Sequence, residues 1–489
     1  MSITIPSRFT DEDVKRWKLS SRCKIIRKEE VRAEIAAEMK AEAKAKAEAN
    51  TEADAKAKAK AEAEEKAKLI FSKDGKTITG VKDKGIKSVV IPNGVTSIGA
   101  YAFYRCTSLT SITIPDSVTS IGYDAFRHCK NLTSITIPDS VTSIGGGAFY
   151  GCSSLMSITI PDSVTEIGEN AFGGIEKVTY SPAFEPLPNG SLINKKHKAL
   201  IRVPKNLSGG YTIPTDVTSI GANAFSFCKN LTSITIPDSV TSIGRGAFYS
   251  CDSLTSITIP DSVTSIGNGA FEGCSSLTSI TIPDSVTSIG NSAFSQCKNL
   301  TSITIPTGVT SIGDNAFYRC TSLTSITIPD KVTSIGEWAF RGCSSLKSIT
   351  IPDSVTSIGE FAFAACSSLK SITIPDSVTS IGRYAFSGCK NLTSITIPSS
   401  VTSIVNGAFR DCWQLTSITI PDGVTSIGEG AFRGCSSLKS ITIPDSVTRI
   451  WYDAFRGCSS LMSITIPSRF TDEDVKRWAV PSNCKVIRK

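Results

Sequence analysis

Residues 109–129 read LTSITIPDSVTSIGYDAFRHC. From Ser111 to Ile114 hydroxyl and apolar residues alternate at period two, the pattern of a half-buried strand. Pro115-Asp-Ser then turns the chain: proline presets its own φ and donates no ladder hydrogen bond, while Asp and Ser bond to nearby backbone. Val118 to Ile121 reads as a second short extended piece. Gly122 frees the backbone, and Asp124 to Cys129 is expected to make a short helical turn with Ala125, Phe126 and Cys129 on one side.

This unit recurs along most of the chain. Its proline stands at 92, 115, 138 and 161, then at 214 and every 23 residues up to Pro467. No single unit can bury Leu109, Ile112, Ile114, Val118, Ile121, Phe126 and Cys129, so neighbours must stack and share a continuous core. A period of 23 falls in the range of leucine-rich repeats and away from the 33 or 34 of ankyrin and tetratricopeptide units. The expected fold class is therefore a repeat solenoid, α/β to mostly β, with parallel strands and short helical turns. At ~4.8 Å per stacked strand, the repeats span roughly 75 Å.

Four segments depart from the period. Residues 69–91 read as an irregular first unit that caps the stack, within a solenoid expected over 69–461. Residues 173–213 read as two degenerate repeats carrying a loop around Pro182 to Gly190. Residues 29–68 are built from Ala, Glu and Lys, with i,i+4 pairs Glu42–Lys46, Glu52–Lys56 and Glu62–Lys66, and predict a long helix. No apolar stripe persists beyond Met39, which leaves either a solvated spacer or a weakly oligomerising, coiled-coil-like helix. Finally, residues 1–28 copy residues 462–489 at 23 of 28 positions. In both copies FTDEDVKRW replaces VTSIGxxAF, and Thr10 with Asp13, or Thr471 with Asp474, is spaced as a capping box. At the C-terminus this predicts a lid over the open end of the core. The N-terminal copy either docks elsewhere or records a gene rearrangement.

Composition excludes several classes. The chain is 40% hydrophobic and 20% charged, and no window approaches the ~18 apolar residues of a membrane span. The opening MSITIPSRFTDEDVKRW does not read as a secretory signal. The net charge of +8 is scattered rather than gathered on one face, which argues against nucleic acid as a partner. Fourteen cysteines from Cys106 to Cys458 hold one place in the repeat, so a buried, reduced ladder is expected rather than disulfides or metal. Zinc sites want close cysteine pairs with histidine partners, and the two histidines, His128 and His197, form no such cluster and no catalytic set. The glycine of SIG is a turn glycine without a phosphate-loop context. No cofactor, metal or enzymatic activity is expected. The aspartates after the turn prolines, such as Asp116, Asp139, Asp162, Asp238 and Asp261, are expected in solvent. The NLT sequons at Asn131, Asn230, Asn299 and Asn391 become glycosylation sites only in a secreted eukaryotic chain.

From Leu69 onward the sequence resembles the BspA-like leucine-rich repeats, whose hallmark is the IPxxVTxIGxxAFxxC pattern seen at Ile114 to Cys129. The stretch 192–214, LINKKHKALIRVPKNLSGGYTIP, is similar to that family's variant unit. The resemblance implies display at a cell surface or secretion, adhesion to matrix proteins, cells or surfaces, and no catalysis.

Two faces of the repeat are candidates for contact with a ligand. The slots flanking AF vary freely and carry Tyr101, Tyr104, Arg105, Trp338, Arg341, Phe361, Tyr384 and Trp451, residue types favoured at protein-binding hot spots. The outward strand positions, Ser111, Thr113, Ser134, Thr136 and their equivalents, barely vary and form a Ser/Thr lattice. The leading expectation is a non-enzymatic binding solenoid for protein–protein interaction or cell-surface adhesion, with a protein, matrix or glycan ligand. A cytosolic interaction scaffold and a lattice binder for glycan or ice are the alternatives.

Overall fold

The computed structural model describes residues 2–6, 8–18, 24–27, scattered positions between 33 and 46, and 59–489. Each regular repeat lays down three runs, and each run bonds to the same run of its neighbours. The first is the SIT strand: Ser256–Thr258 pairs in parallel with Ser279–Thr281, serine opposite serine and isoleucine opposite isoleucine. The second is the SI strand, as in Ser242–Ile243 against Ser265–Ile266. Exact repetition of sequence makes this register the one that puts every isoleucine on the core side, since a one-residue slip would turn each outward.

The AF segment is the third run, and it refines the sequence reading. Alternate amides, those of Ala125, Arg127 and Cys129, bond three residues back as in a helical turn. The intervening amides of Asp124, Phe126 and His128 instead bond to Gly146, Ala148 and Tyr150 of the next repeat, at 2.7–2.8 Å. Asp124 and His128 take positive φ, 52° and 59°, and so break the helical path. Ala125, Phe126 and Cys129 are nevertheless all buried together, as their spacing predicts.

Inside the coil Leu254, Ile257, Val263, Ile266, Ala270, Phe271 and Cys274 of one repeat are buried, and each neighbour repeats the set. Burial of each large apolar side chain contributes about 1.5–3 kcal/mol, and the covering surface comes from adjacent repeats. The phenylalanines stack face to face, Phe271 on Phe294 at 5.4 Å and 2°, and Phe294 on Phe317 at 5.7 Å and 6°.

Side-chain hydrogen bonds tie successive repeats and explain part of the hydroxyl uniformity. The serine of PDS donates to a valine carbonyl one repeat back, as Ser262 Oγ does to Val240 at 2.6 Å and Ser285 Oγ to Val263 at 2.7 Å. The threonine of VTS donates to the preceding threonine carbonyl, Thr356 to Thr333 at 3.2 Å. The glycine of SIG answers a different constraint: a Cβ on Gly382 would lie 2.4 Å from the Glu360 nitrogen. Between regular repeats the SI ladder opens at two junctions, Ile289 to Ile312 and Ile381 to Ile404. The first lacks the linking serine, Gly308 standing there, and the second has Val405 in place of the SIG glycine. Neither change suffices alone, because the ladder stays paired beside Gly423 and beside Trp451.

In the irregular segment Lys177–Tyr180 pairs with Ser157–Ile160 as a separate two-stranded sheet. The chain then forms an antiparallel meander, Phe184–Pro186, Leu192–Asn194 and Ala199–Arg202, whose last strand starts a new SI sheet against Ser219–Ile220. Fully buried Asn194 takes over the linking role of the serine, its Nδ2 donating to the carbonyls of Val164 and Asp162, each at 2.8 Å. Tyr211 donates its hydroxyl to buried Ser191 at 2.9 Å.

Residues 59–68 are helical, and the Val90 amide donates to Glu65 at 3.1 Å, which ties this helical run to the first repeats. Of the expected ion pairs, Glu62–Lys66 forms at 3.0 Å in solvent. Scattered described positions between 33 and 46 are helical, while the remainder of the long helix expected over 29–68, with the pairs at Glu42 and Glu52, lies outside the described residues. At the far end Ser463–Ile466 pairs with Ser440–Thr442 on one side and Lys485–Arg488 on the other. The six-residue helix Asp472–Arg477 carries the expected capping box, and the Thr471 amide holds the Asp474 carboxyl below its ordinary range.

Candidate binding surfaces

The AF edge is built from backbone that bends twice per repeat into the left-handed region. The residue before the AF pair takes positive φ in every regular repeat, and Gly147, Asn170, Asn223, Gly246, Gly269, Asn315, Gly407 and Gly430 are among the occupants of that slot. These types tolerate it; a bulky side chain is a conformational outlier there. Tyr101, Trp338, Phe361 and Tyr384 all occupy it, with φ between 53° and 60°. Arg105 holds the second such position, before the cysteine, with φ 57°. The slots that read as freely variable are thus conformationally restricted.

The eight candidate residues fall into three groups. Tyr101 packs edge-on to Tyr104 at 5.8 Å and to Tyr123 at 5.6 Å, with the Arg105 guanidinium over Tyr104 at 5.3 Å. Trp338, Phe361 and Tyr384 form a continuous strip over three consecutive repeats: Trp338 lies 5.0 Å from Phe361, which stacks on Tyr384 at 4.9 Å and 9°. Arg341 sits over both Trp338, at 3.8 Å, and Phe361, at 5.0 Å. The strip is half-buried and ends on Gly407, where an added Cβ would come 2.1 Å from the Tyr384 ring. Trp451 is separate. It replaces the SIG glycine of its repeat, is 43% exposed and carries Arg449 at 4.4 Å.

On the strand face Ser111, Thr113, Ser134 and Thr136 are exposed, and among the described residues their hydroxyls make no hydrogen bond. The lattice is interrupted there, because Ser134 is joined to Ser111 by an isolated bridge and Thr136 lies outside any strand.

A surface that the sequence reading missed lies where the AF column is interrupted between Phe172 and Phe225. A cleft of about 580 Å3 opens there, lined in part by Glu169, Tyr180, Arg202, Lys205, Asn223 and Ser226. It shares Glu169, Asn223 and Ser226 with a second hollow of about 660 Å3 that reaches Glu166, Arg245 and Glu272. Lys205 pairs with Glu169. Burial pushes the Glu166 carboxyl up, with Arg245 opposing it. The visible signal was the 53-residue step from Pro161 to Pro214, which removes AF pairs from the column.

The cysteine ladder is buried from Cys106 to Cys458 and contains free thiols. Burial pushes Cys152, Cys320 and Cys389 up to about 12. Among the described residues no group of three His, Cys, Asp or Glu side chains could hold a metal ion, and no helix is long and apolar enough to cross a membrane. Asp116, Asp139, Asp238 and Asp261 are exposed as expected, whereas Asp162 is half-buried and pairs with Lys196 at 2.9 Å. The four sequon asparagines are exposed.

A parallel coil of in-register 23-residue turns with a capped end defines a leucine-rich-repeat solenoid. The sequence signature of the BspA type leucine rich repeat region, in six copies, matches residues 81–193, 208–324, 310–435 and 402–485. The chain belongs to the BspA-type leucine-rich repeat family. No curated protein matches it. Among solved structures, a leucine-rich repeat protein from Bacteroides ovatus is 32% identical, covering 86% of this chain and 97% of its own, with a TM-score of 0.46. A leucine rich cell surface protein from Faecalibacterium prausnitzii is 31% identical over 85% of this chain and 96% of its own, with a TM-score of 0.35. The pneumococcal vaccine antigen PcpA is 19% identical over 86% of this chain and 99% of its own, with a TM-score of 0.41.

Proposed function

We propose that this chain is a non-enzymatic adhesive solenoid, displayed at a cell surface, that grips a protein, matrix or glycan ligand through the AF edge around Trp338. One observation carries the reading: three consecutive repeats place Trp338, Phe361 and Tyr384 at a backbone position where most other repeats carry glycine, asparagine or aspartate. Each left-handed placement of a bulky residue costs on the order of 1–3 kcal/mol. The core gains nothing from these rings, which lie outside the phenylalanine stack. What they provide is a half-exposed aromatic strip with an arginine across it, the chemistry of a binding hot spot.

The test replaces the strip with the residue other repeats use. The full chain and its Trp338→Gly, Phe361→Gly, Tyr384→Gly variant are compared for binding to immobilised matrix proteins and glycans and for adherence to cells. Loss of at least tenfold in affinity with a thermal midpoint that does not fall is expected. Undiminished binding by the triple variant overturns the assignment of this strip.

A further inference from the structure

The two lids share one local structure but not one environment. In the N-terminal copy Ser2–Ile5 pairs with Lys24–Arg27 in the same register as Ser463–Ile466 with Lys485–Arg488. Helix Asp11–Arg16 repeats Asp472–Arg477 with its capping box, and Phe9 meets Trp17 edge-on at 5.1 Å, as Phe470 meets Trp478 at 5.0 Å. The difference lies in what covers them. Ile464 and Trp478 are 0% and 1% exposed, whereas their twins Ile3 and Trp17 are 37% and 42% exposed.

The C-terminal lid shows which surface fits that uncovered face. Its inner strand pairs with Ser440–Thr442. The Trp478 indole donates to the Ile450 carbonyl at 3.1 Å. The amides of Phe455 and Asp453 donate to the carbonyls of Trp478 and Arg477 at 2.9 and 3.0 Å. All five differences between the copies fall at residues 18–25, after Trp17, so Ile3, Phe9, Arg16 and Trp17 keep the identities that make this contact. The fit is also directional. A face that pairs in parallel with a preceding SIT strand matches only the C-terminal end of a stack; the opposite end is closed by the antiparallel hairpin Leu69–Phe71 and Thr77–Val81.

We infer that residues 1–28 are a second lid that docks on the C-terminal end of the repeat stack of another copy of this chain, in the place of that copy's residues 462–489. The resident lid is tethered, at an effective concentration in the millimolar range, so exchange proceeds when it opens. Because donor and acceptor surfaces differ, the contact is heterologous and propagates head to tail.

The experiment frees the acceptor. In the full chain, Trp478→Asp undocks the resident lid, and sedimentation velocity then reads mass against concentration. At least a doubling of mass with rising concentration is expected, reversed to monomer when Trp17→Asp is added. A Trp478→Asp chain that stays monomeric, or oligomers that survive Trp17→Asp, overturn the inference. A second measurement does not depend on the weakened end: isotopically labelled chain carrying Arg16→Cys is mixed with unlabelled chain carrying Asp453→Cys. Cross-links between positions 16 and 453 of different copies are expected to accumulate. Their absence over hours, or cross-linking confined within one chain when both substitutions are present together, overturns it.

Discussion

Cys129 donates its thiol hydrogen to the carbonyl of Phe103, 3.1 Å away in the preceding repeat, and the same bond recurs from Cys152 to Phe126 and from Cys320 to Phe294. The cysteine column is therefore a hydrogen-bonded seam in its neutral form. Folded Cys320 and Cys389 ionise at about 12 because of burial, against about 8.5 for an unfolded thiol. Between these values the folded chain holds protons that the unfolded chain has released, so stability falls as pH rises through that window. Thermal melts from pH 7 to 11 are expected to hold level to about pH 8.5 and then decline, with a shallower decline in Cys320→Ala. A flat profile to pH 11 contradicts the seam.

Two serines of one repeat separate structural from spare hydroxyls. Ser262→Ala removes the bond to Val240 and is expected to cost about 1 kcal/mol. Ser256, exposed on the SIT strand, has no such bond, and Ser256→Ala is expected to be neutral within about 0.5 kcal/mol. Urea titrations of the two variants decide this.

Phe294→Ala opens the middle of the ring stack and is expected to cost about 3–5 kcal/mol. In a solenoid that loss is carried mainly by nearest neighbours. Hydrogen exchange should therefore rise in the repeats around Phe271 and Phe317 and stay unchanged near Phe103.

The lids are expected to respond unequally to the same substitution. Trp478→Ala removes a buried ring and its bond to Ile450, for about 3–5 kcal/mol. Trp17→Ala removes a ring that is 42% exposed, so the midpoint for the repeat stack should not move. Equal shifts in differential scanning calorimetry would contradict the difference in burial.

Much of this fold was legible because periodicity carries register: once Leu109, Ile112, Val118, Phe126 and Cys129 are known to recur every 23 residues, only stacking can bury them. The lid was legible from Thr471 and Asp474. What escaped was the backbone of the AF edge. Trp338 looked like a residue in a free slot, although the Gly, Asn and Asp in equivalent positions were the mark of a left-handed conformation. The turn serines, Ser262 among them, read as bonding to nearby backbone, whereas the acceptor lies one repeat back, a partner that leaves no trace in a uniform column. The cleft by Glu169 and Lys205 was missed because it is made by an absence of AF pairs, and its charges come from Glu169 and the meander. Trp451, grouped by its type with the aromatic slots, turned out to occupy the glycine position.

Asn194 bears on how such a chain finds its native state. Because repeat follows near-identical repeat, looping out 23 residues and closing the coil behind them would recover almost every local contact. The energy landscape thus contains a family of shifted alignments close to the native one. The Asn194 amide stands on Val164 where a regular repeat has its serine, and it reaches Asp162 as well; the Tyr211 hydroxyl on Ser191 joins two side chains that no regular repeat carries. They form only when the meander joins the repeats that directly adjoin it, around Val164 and Tyr211. The least regular part of the molecule is the origin from which its repeats are numbered.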